Sequence, residues 1–328
     1  MSLLQPIPAH GPLPPEPSLA AALYWSSPPF VTLVVAVGLI AWFAALRRIQ
    51  RDHPSNPVPA SRTLALLGAA LLLLIALQSV VERYDTTLFS VHMVQHLLLL
   101  FPIPILLLRA APVTLLLRVA SPRWRARLLA LLQSRTVGAA SHPLVAWILL
   151  ALVMWATHLS PIFDMALEEP LVHDLEHALY LGSGLLFWAP LVATDPVRHR
   201  LSRAGALGYL ITQMPQSSFL GVAIMWAPAP LYAHYATLAR SWGPTPLEDQ
   251  QLAGAIMWLG GDALFLVAIF AVLAAWARAE ERGGSRYDLA QVDAATAEIR
   301  RREAALADRL RNEREETNGR RASEQRES

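Results

Sequence analysis

The run Leu88-Phe89-Ser90-Val91-His92-Met93-Val94-Gln95-His96-Leu97-Leu98-Leu99-Leu100-Phe101-Pro102-Ile103-Pro104-Ile105-Leu106-Leu107-Leu108 holds 21 residues and no Asp, Glu, Lys or Arg. As an α-helix rising about 1.5 Å per residue it would span roughly 31 Å, the thickness of a bilayer's hydrocarbon core. Six more stretches are long and apolar enough to qualify, though His173–Ala193 is polar at its start: about Phe30–Leu46, Thr63–Val81, Pro143–Ser160, His173–Ala193, Gly205–Trp226 and Gln251–Trp276. In lipid a backbone must pair its polar groups within the segment, and strand-like alternation is absent, so these stretches read as helices. The expected fold is all-α: a polytopic membrane protein with seven transmembrane helices.

Composition agrees. Of the 328 residues, 54% are hydrophobic and only 16% charged, with a mean hydropathy of +0.38. Soluble domains carry about 25% charged residues. Residues 277–328 hold 12 Arg and 12 acidic residues. The expected organisation is a Pro-rich leader over 1–28, a membrane domain over 29–276, and a charged, partly helical tail over 277–328. Residues 1–17 contain six Pro and no basic region, which reads as a disordered leader rather than a signal peptide. In the tail, Leu289, Val292, Ile299, Leu306 and Leu310 form a broken heptad that predicts a solvated helix. Residues 110–134 mix Leu and Arg around Ser121-Pro122 and predict short interfacial helices.

Loop charge sets an orientation. Arg47, Arg48, Arg51 and Arg62 follow the first stretch. Arg109, Arg118, Arg123, Arg125, Arg127 and Arg135 follow the third, with no acid in 109–137. Arg198, Arg200 and Arg203 follow the fifth, and Arg278 and Arg282 the seventh. The alternate loops are neutral or acidic. The positive-inside rule then predicts an N-terminus outside and a C-terminus in the cytoplasm. The formal net charge of +2 serves this topology and implies no nucleic-acid partner. With no cysteine and every basic residue an Arg, thiol nucleophiles, thiolate metal sites and Schiff-base lysines are excluded.

The ten histidines carry the chemistry. In the expected orientation His92 and His96 lie about 6 and 12 Å below the outer end of their span. His158 is within one turn of the outer surface, His173 opens its span, and His177 is one turn deeper. His234 lies in an outer loop. Only His53, His142 and His199 fall on the cytoplasmic side. The pairs His92/His96 and His173/His177 are spaced i, i+4, which puts each pair on one helix face. Two such pairs at one depth can hold a metal ion, and imidazole suits Cu, Zn, Fe and Ni. Met257 is one of several nearby thioethers that suit copper. Asp174 and Glu176 are candidate acceptors for imidazole N–H groups. The competing reading is that intramembrane histidines hydrogen-bond between helices. Asp262, near the middle of its span, needs a cavity or a partner. Pro102, Pro104, Pro190 and Pro215 predict kinks.

The segment Phe89 to Leu98, followed by Pro102 and Ala111-Pro112, resembles the CtaG family of cytochrome c oxidase assembly factors. The multi-spanning family is meant, not the single-span copper chaperone that shares its name. Trp155-Ala156-Thr157-His158 with Pro161, and His173-Asp174-Leu175-Glu176-His177 running to Phe187-Trp188, are similar to further family motifs. So are Pro230-Leu231-Tyr232 and Asp249 to Gly254 with Met257-Trp258. The resemblance covers about residues 25–276. It implies a multi-pass protein of a bacterial plasma (inner) membrane that aids copper insertion into a haem–copper oxidase. The implied partners are oxidase subunits, the bilayer and a periplasmic copper chaperone. The expected metal residues are His92, His96, His158, His173 and His177, with Met257 and His234 assisting transfer, and the expected cargo is copper held transiently. No phosphate loop, nucleophile elbow or zincin helix occurs, so a non-enzyme is expected. Two other classes remain open: a b-type haem protein, and a metal-free scaffold or transporter.

Overall fold

A computed structural model describes residues 13–26, 29–192, 194–196, 198–281, 298 and 301. The chain divides into two compact units, Met1–Phe270 and Ala271–Ser328. In the second, residues 271–281 are helical and Trp276 donates to Glu280. The heptad expected beyond Leu289 lies outside the described residues.

The first unit is helical, with no strand among the described residues. Its helices are α1 (Leu19–Ala22), α2 (Pro29–Asp52), α3 (Ala60–Gln78), α4 (Val80–Tyr84), α5 (Phe89–Leu100), α6 (Pro102–Ala110), α7 (Pro112–Val119), α8 (Pro122–Leu132) and α9 (Arg135–Ala140). They continue as α10 (Pro143–His158), α11 (Ile162–Glu168), α12 (Pro170–Val192), α13 (Arg203–Met225), α14 (Ala233–Thr237) and α15 (Pro246–Ala255). A π-helical turn, Ile256–Gly260, continues α15. The short helices expected over 110–134 appear as α7 and α8.

Among the described residues, four helical runs are long and apolar enough to cross a membrane: Pro29–Asp52, Ala60–Tyr84, Phe89–Val119 and Pro246–Glu281. Pro143–His158 with Ile162–Glu168 makes a fifth only as a pair bent by 71°. Helices α12 and α13 have the length, at 23 residues each, but not the apolarity. Their polar side chains are the reason, and several of these line the site described below.

Helix α12 is the hub, packing against α5, α6, α10 and α11. Its seat is the break between α5 and α6. Pro104 has no N–H to offer the Leu100 carbonyl four residues earlier, so that oxygen loses its helical partner. Trp188 of α12 supplies one, its Nε1 donating to Leu100 O at 2.8 Å. The backbones meet closely there. A Cβ on Gly184 would lie 2.9 Å from Pro104 Cγ and 3.0 Å from Leu100 O. By contrast, α12 and α13 run on as helix through Pro190 and Pro215.

Carboxylates from distant parts of the chain cap two helix starts. Buried Asp249 of α15 accepts from the N–H groups of Phe89 and Ser90 and from the Ser90 hydroxyl, at the first turn of α5. Asp195 accepts from Val113 and Thr114 at the start of α7, just after Ala111 turns left-handed at φ 57°. Both place negative charge at a helix N-terminus, where unpaired N–H groups and the dipole favour it.

The leader expectation needs correcting where it can be seen. Pro14 is buried, Tyr84 donates to Pro15 O at 2.8 Å, and Ser26 N–H donates to Gln78 O. This stretch is pinned to α3 and α4 because Gln78, at the end of α3, and Tyr84 meet it with hydrogen-bonding groups. Asp262 has its partner: the Ser218 hydroxyl of α13 lies 2.8 and 3.0 Å from its two oxygens.

Candidate metal centre

Helices α5 and α12 bring their histidine pairs face to face. The rings of His92 and His96 lie 4.2 Å apart between centroids, and those of His173 and His177 lie 4.1 Å apart. Across the helices, His92 is 5.6 Å from His173 and His96 is 6.5 Å from His177. His158, at the end of α10, reaches within 5.9 Å of His96. All five are at most 5% exposed. The five histidines named from the sequence are therefore one buried cluster.

Two carboxylates complete it. Glu176 Oε2 lies 3.7 Å from His92 Nε2 and 3.8 Å from His96 Nε2. Asp85 Oδ2 lies 3.6 Å from His173 Nε2. Two triads follow, Asp85–His173–His177 and His92–His173–Glu176, each with ligand atoms within 4.8 Å of one another. His173 belongs to both. Both oxygens of Glu176, Oδ2 of Asp85, both ring nitrogens of His96 and Nε2 of His158 make no hydrogen bond. Buried polar atoms nearly always have partners, and leaving one without costs about 1–3 kcal/mol. A set of bare donors converging in one place suits a cation.

The surroundings orient several rings. Gln95 donates its amide N–H groups to Ala76 O and Glu82 Oε2, at 2.8 and 2.7 Å. Its oxygen must then accept from His177 Nε2, 2.9 Å away. The neutral His177 ring so held keeps its lone pair on Nδ1. His158 is held the other way: Nδ1 donates to Met154 O at 2.8 Å, leaving the lone pair on Nε2. Such hydrogen bonds to the second ring nitrogen fix tautomer and aim, as they do for metal-bound histidines. Tyr180 stacks on His96 at 3.8 Å and bonds to Thr157. Phe163 of α11 packs on His92 and His158. In the loop after α4, burial and then repulsion from Glu82 raise the Asp85 carboxyl well above its ordinary value.

The other expected residues sit apart. His234 is buried: Nε2 donates to Thr86 O at 2.8 Å, Nδ1 makes no hydrogen bond, and its backbone N–H donates to Asp164. It braces the Asp85 loop, as does Tyr235, whose hydroxyl donates to Asp85 O. Met257 is buried in the π-helical turn, on a different element from all five rings. Asp174 is exposed, while Glu176, expected as a second-layer acceptor, is in the cluster itself. His142 and His199 pair elsewhere, 5.2 Å apart. Asp85, Gln95 and Tyr180 were not singled out from sequence. Tyr180 was legible, since 173, 176, 177 and 180 share a helix face; Asp85 looked like ordinary loop charge.

The family model for the cytochrome c oxidase caa3 assembly factor (Caa3_CtaG) matches residues 40–279. The chain belongs to this family. It is 33% identical over 288 residues to the uncharacterized protein Mb0105 of Mycobacterium bovis, covering 84% of this chain and 43% of that one. The same figures hold for MT0111 of Mycobacterium tuberculosis. For ML1998 of Mycobacterium leprae the identity is 30% over 264 residues, covering 78% of this chain and 39% of the relative. The chain thus spans less than half the length of these curated relatives. No solved structure matches. The buried cluster lies within the matched region.

Proposed function

We propose that this protein receives copper at the cluster of His92, His96, His158, His173, His177, Glu176 and Asp85 and passes it to a haem–copper oxidase during assembly. The carrying observation is the pair of donor triads that share His173, surrounded by buried donor atoms without hydrogen bonds. Copper is the cargo here, not a resident cofactor, and no covalent chemistry by the chain is implied. The donor set is imidazole and carboxylate without thiolate, which accommodates Cu(II) readily. The family's client enzyme supplies the choice of copper over other metals.

The topology in this reading has seven spans, with α12 and α13 as the two polar ones. The Arg-rich loops face the cytoplasm, and the cluster lies near the extracytoplasmic side of a bacterial plasma membrane. A periplasmic copper chaperone is the expected donor and an oxidase subunit the acceptor. Acidic Asp164, Glu168 and Glu169 would concentrate cations near the mouth. Two carboxylates among the imidazoles, and the Tyr180 ring stacked on His96 at 3.8 Å, favour an ion over haem.

The test measures copper in purified full-length protein and oxidase activity in cells. Replacing His92, His96, His173 and His177 together by Ala is expected to abolish copper retention and lower oxidase activity. Unchanged copper and unchanged activity in a correctly inserted variant would end the proposal.

A further inference from the structure

At the Arg-bearing end of α2 and α3, a cavity of about 520 Å³ opens to the surface. Separate parts of the chain meet around it: Ser55 and Asn56 between α2 and α3, Thr114 and Arg118 of α7, Arg125 of α8, and Pro196 after α12. Helix α7 is held there by Leu115, which packs with Trp42 and Ile49 of α2 and Ala65 of α3. The lining holds two guanidiniums and the His53 imidazole, and no carboxylate. Backbone carbonyls fix both guanidiniums. Arg118 Nη2 donates to Asn56 O, and Arg125 donates from Nε to Leu117 O at 2.9 Å and from Nη2 to Ala120 O at 3.4 Å. A guanidinium carries five N–H donors, so these bonds aim the two forks and leave most of their donors for an outside acceptor. The acids that adjoin the lining in sequence are engaged: Asp52 with Arg48 at 3.5 Å, and Asp195 with the first N–H groups of α7. Thr114 Oγ1 is buried and makes no hydrogen bond.

Planar guanidinium forks with hydroxyls and no carboxylate suit a phosphate. Helix α8 says what carries that phosphate. None of its residues is buried, and Trp124 and Leu131 are 60% and 59% exposed. Trp124, Leu128 and Leu131, at i, i+4 and i+7, share a face that Arg125 borders. A helix with Arg beside an open Trp and Leu face lies in the plane of a membrane surface. A lipid head with its own cation would bring that cation against Arg118 and Arg125, whereas a net-negative head would not. We propose that this cavity binds the phosphate headgroup of an anionic phospholipid, with the open face of α8 against its acyl chains. The site shares no residue with the metal cluster, so its failure would leave the copper reading standing, and the reverse.

The test uses the full chain in detergent and follows bound lipid by native mass spectrometry. Saturable binding of phosphatidylglycerol is expected, and phosphatidylcholine of the same chain length should not displace it. Inorganic phosphate is the arm for a free anion, and it should compete far more weakly than the lipid. Arg118→Gln with Arg125→Gln should weaken binding about tenfold or more, since both charged donors are lost. Thr114→Val removes a hydroxyl that makes no bond within the chain. It should weaken binding while leaving the unfolding midpoint unchanged, which a structural role would not produce. Arg123→Gln with Arg127→Gln removes the same charge from α8 outside the lining and should leave binding near that of the parent. Equal binding of phosphatidylcholine, or displacement by inorganic phosphate as effective as by the lipid, would overturn the proposal. So would full binding in both the Arg118/Arg125 and Thr114→Val variants, or an equal loss in the Arg123/Arg127 variant.

Discussion

Glu176 brings one buried oxygen, Oε2, near both His92 and His96, and neither of its oxygens makes a hydrogen bond. Glu176→Gln keeps the shape and removes the charge. It is expected to lower copper affinity about tenfold or more, measured by equilibrium competition against a chelator, while leaving the unfolding midpoint near that of the parent. Outer partners of metal ligands are typically worth about 10–100-fold in affinity, so Gln95→Leu, which drops the bond to His177 Nε2, should fall in that range. His142→Ala is the matching control. Its ring accepts from Leu144 N–H at the start of α10, and copper retention should not change. At this scale the histidines were legible because the i, i+4 spacing survives any packing of the helices. Asp85 was not legible, because only the tertiary fold brings the loop after α4 against His173. His234 was named for its depth; its Nε2 is bonded to the Thr86 carbonyl and its Nδ1 makes no hydrogen bond.

At the scale of elements, the site depends on how α5 is started and how α12 is seated. Asp249→Ala removes the acceptor for two N–H groups and a hydroxyl at the first turn of α5. Lost caps cost about 0.5–2 kcal/mol, and a lower unfolding midpoint in detergent should record it. Helices α13 and α15 meet backbone to backbone at Gly221 and Gly254. A Cβ on Gly254 would lie 2.6 Å from Gly221 O and 2.6 Å from Met225 N. Neither contact is with a flexible side chain that could give way, so Gly254→Leu must push the helices apart. It is expected to destabilise by several kcal/mol, at the overpacking extreme, and to shift α15, whose Asp249 caps α5. Reduced copper retention should accompany the lower midpoint. Pro102 and Pro104 announced the break between α5 and α6. The capture of the freed Leu100 carbonyl by Trp188 could not be read, since nothing local links residues 100 and 188. Pro190 and Pro215 lie inside continuous helix.

Over the whole chain, the absence of cysteine makes topology directly testable. In a functional background, Ser55→Cys in an Arg-flanked loop should react with an impermeant maleimide only after the membrane is opened. Ser160→Cys, beyond α10, should react in intact cells. Equal labelling of both from one side would remove the seven-span reading. Helical fold class was plain from the apolar runs, which need no tertiary information. The number of crossings was harder, because the criterion is apolarity. Helix α12 devotes His173, Glu176, His177 and Tyr180 to the cluster, and those residues dilute its hydropathy below that of a simple anchor. Helix α5, by contrast, keeps the look of a membrane helix around His92 and His96.

The imidazole common to both donor sets has a consequence for speed. In the copper reading, an ion that moves from the Glu176 side to the Asp85 side changes companions one at a time and keeps hold of the ring at 173 throughout. Passage is then a stepwise substitution rather than a release into bare space. A carrier built this way can guard its load closely and still give it up quickly when a better-furnished acceptor arrives.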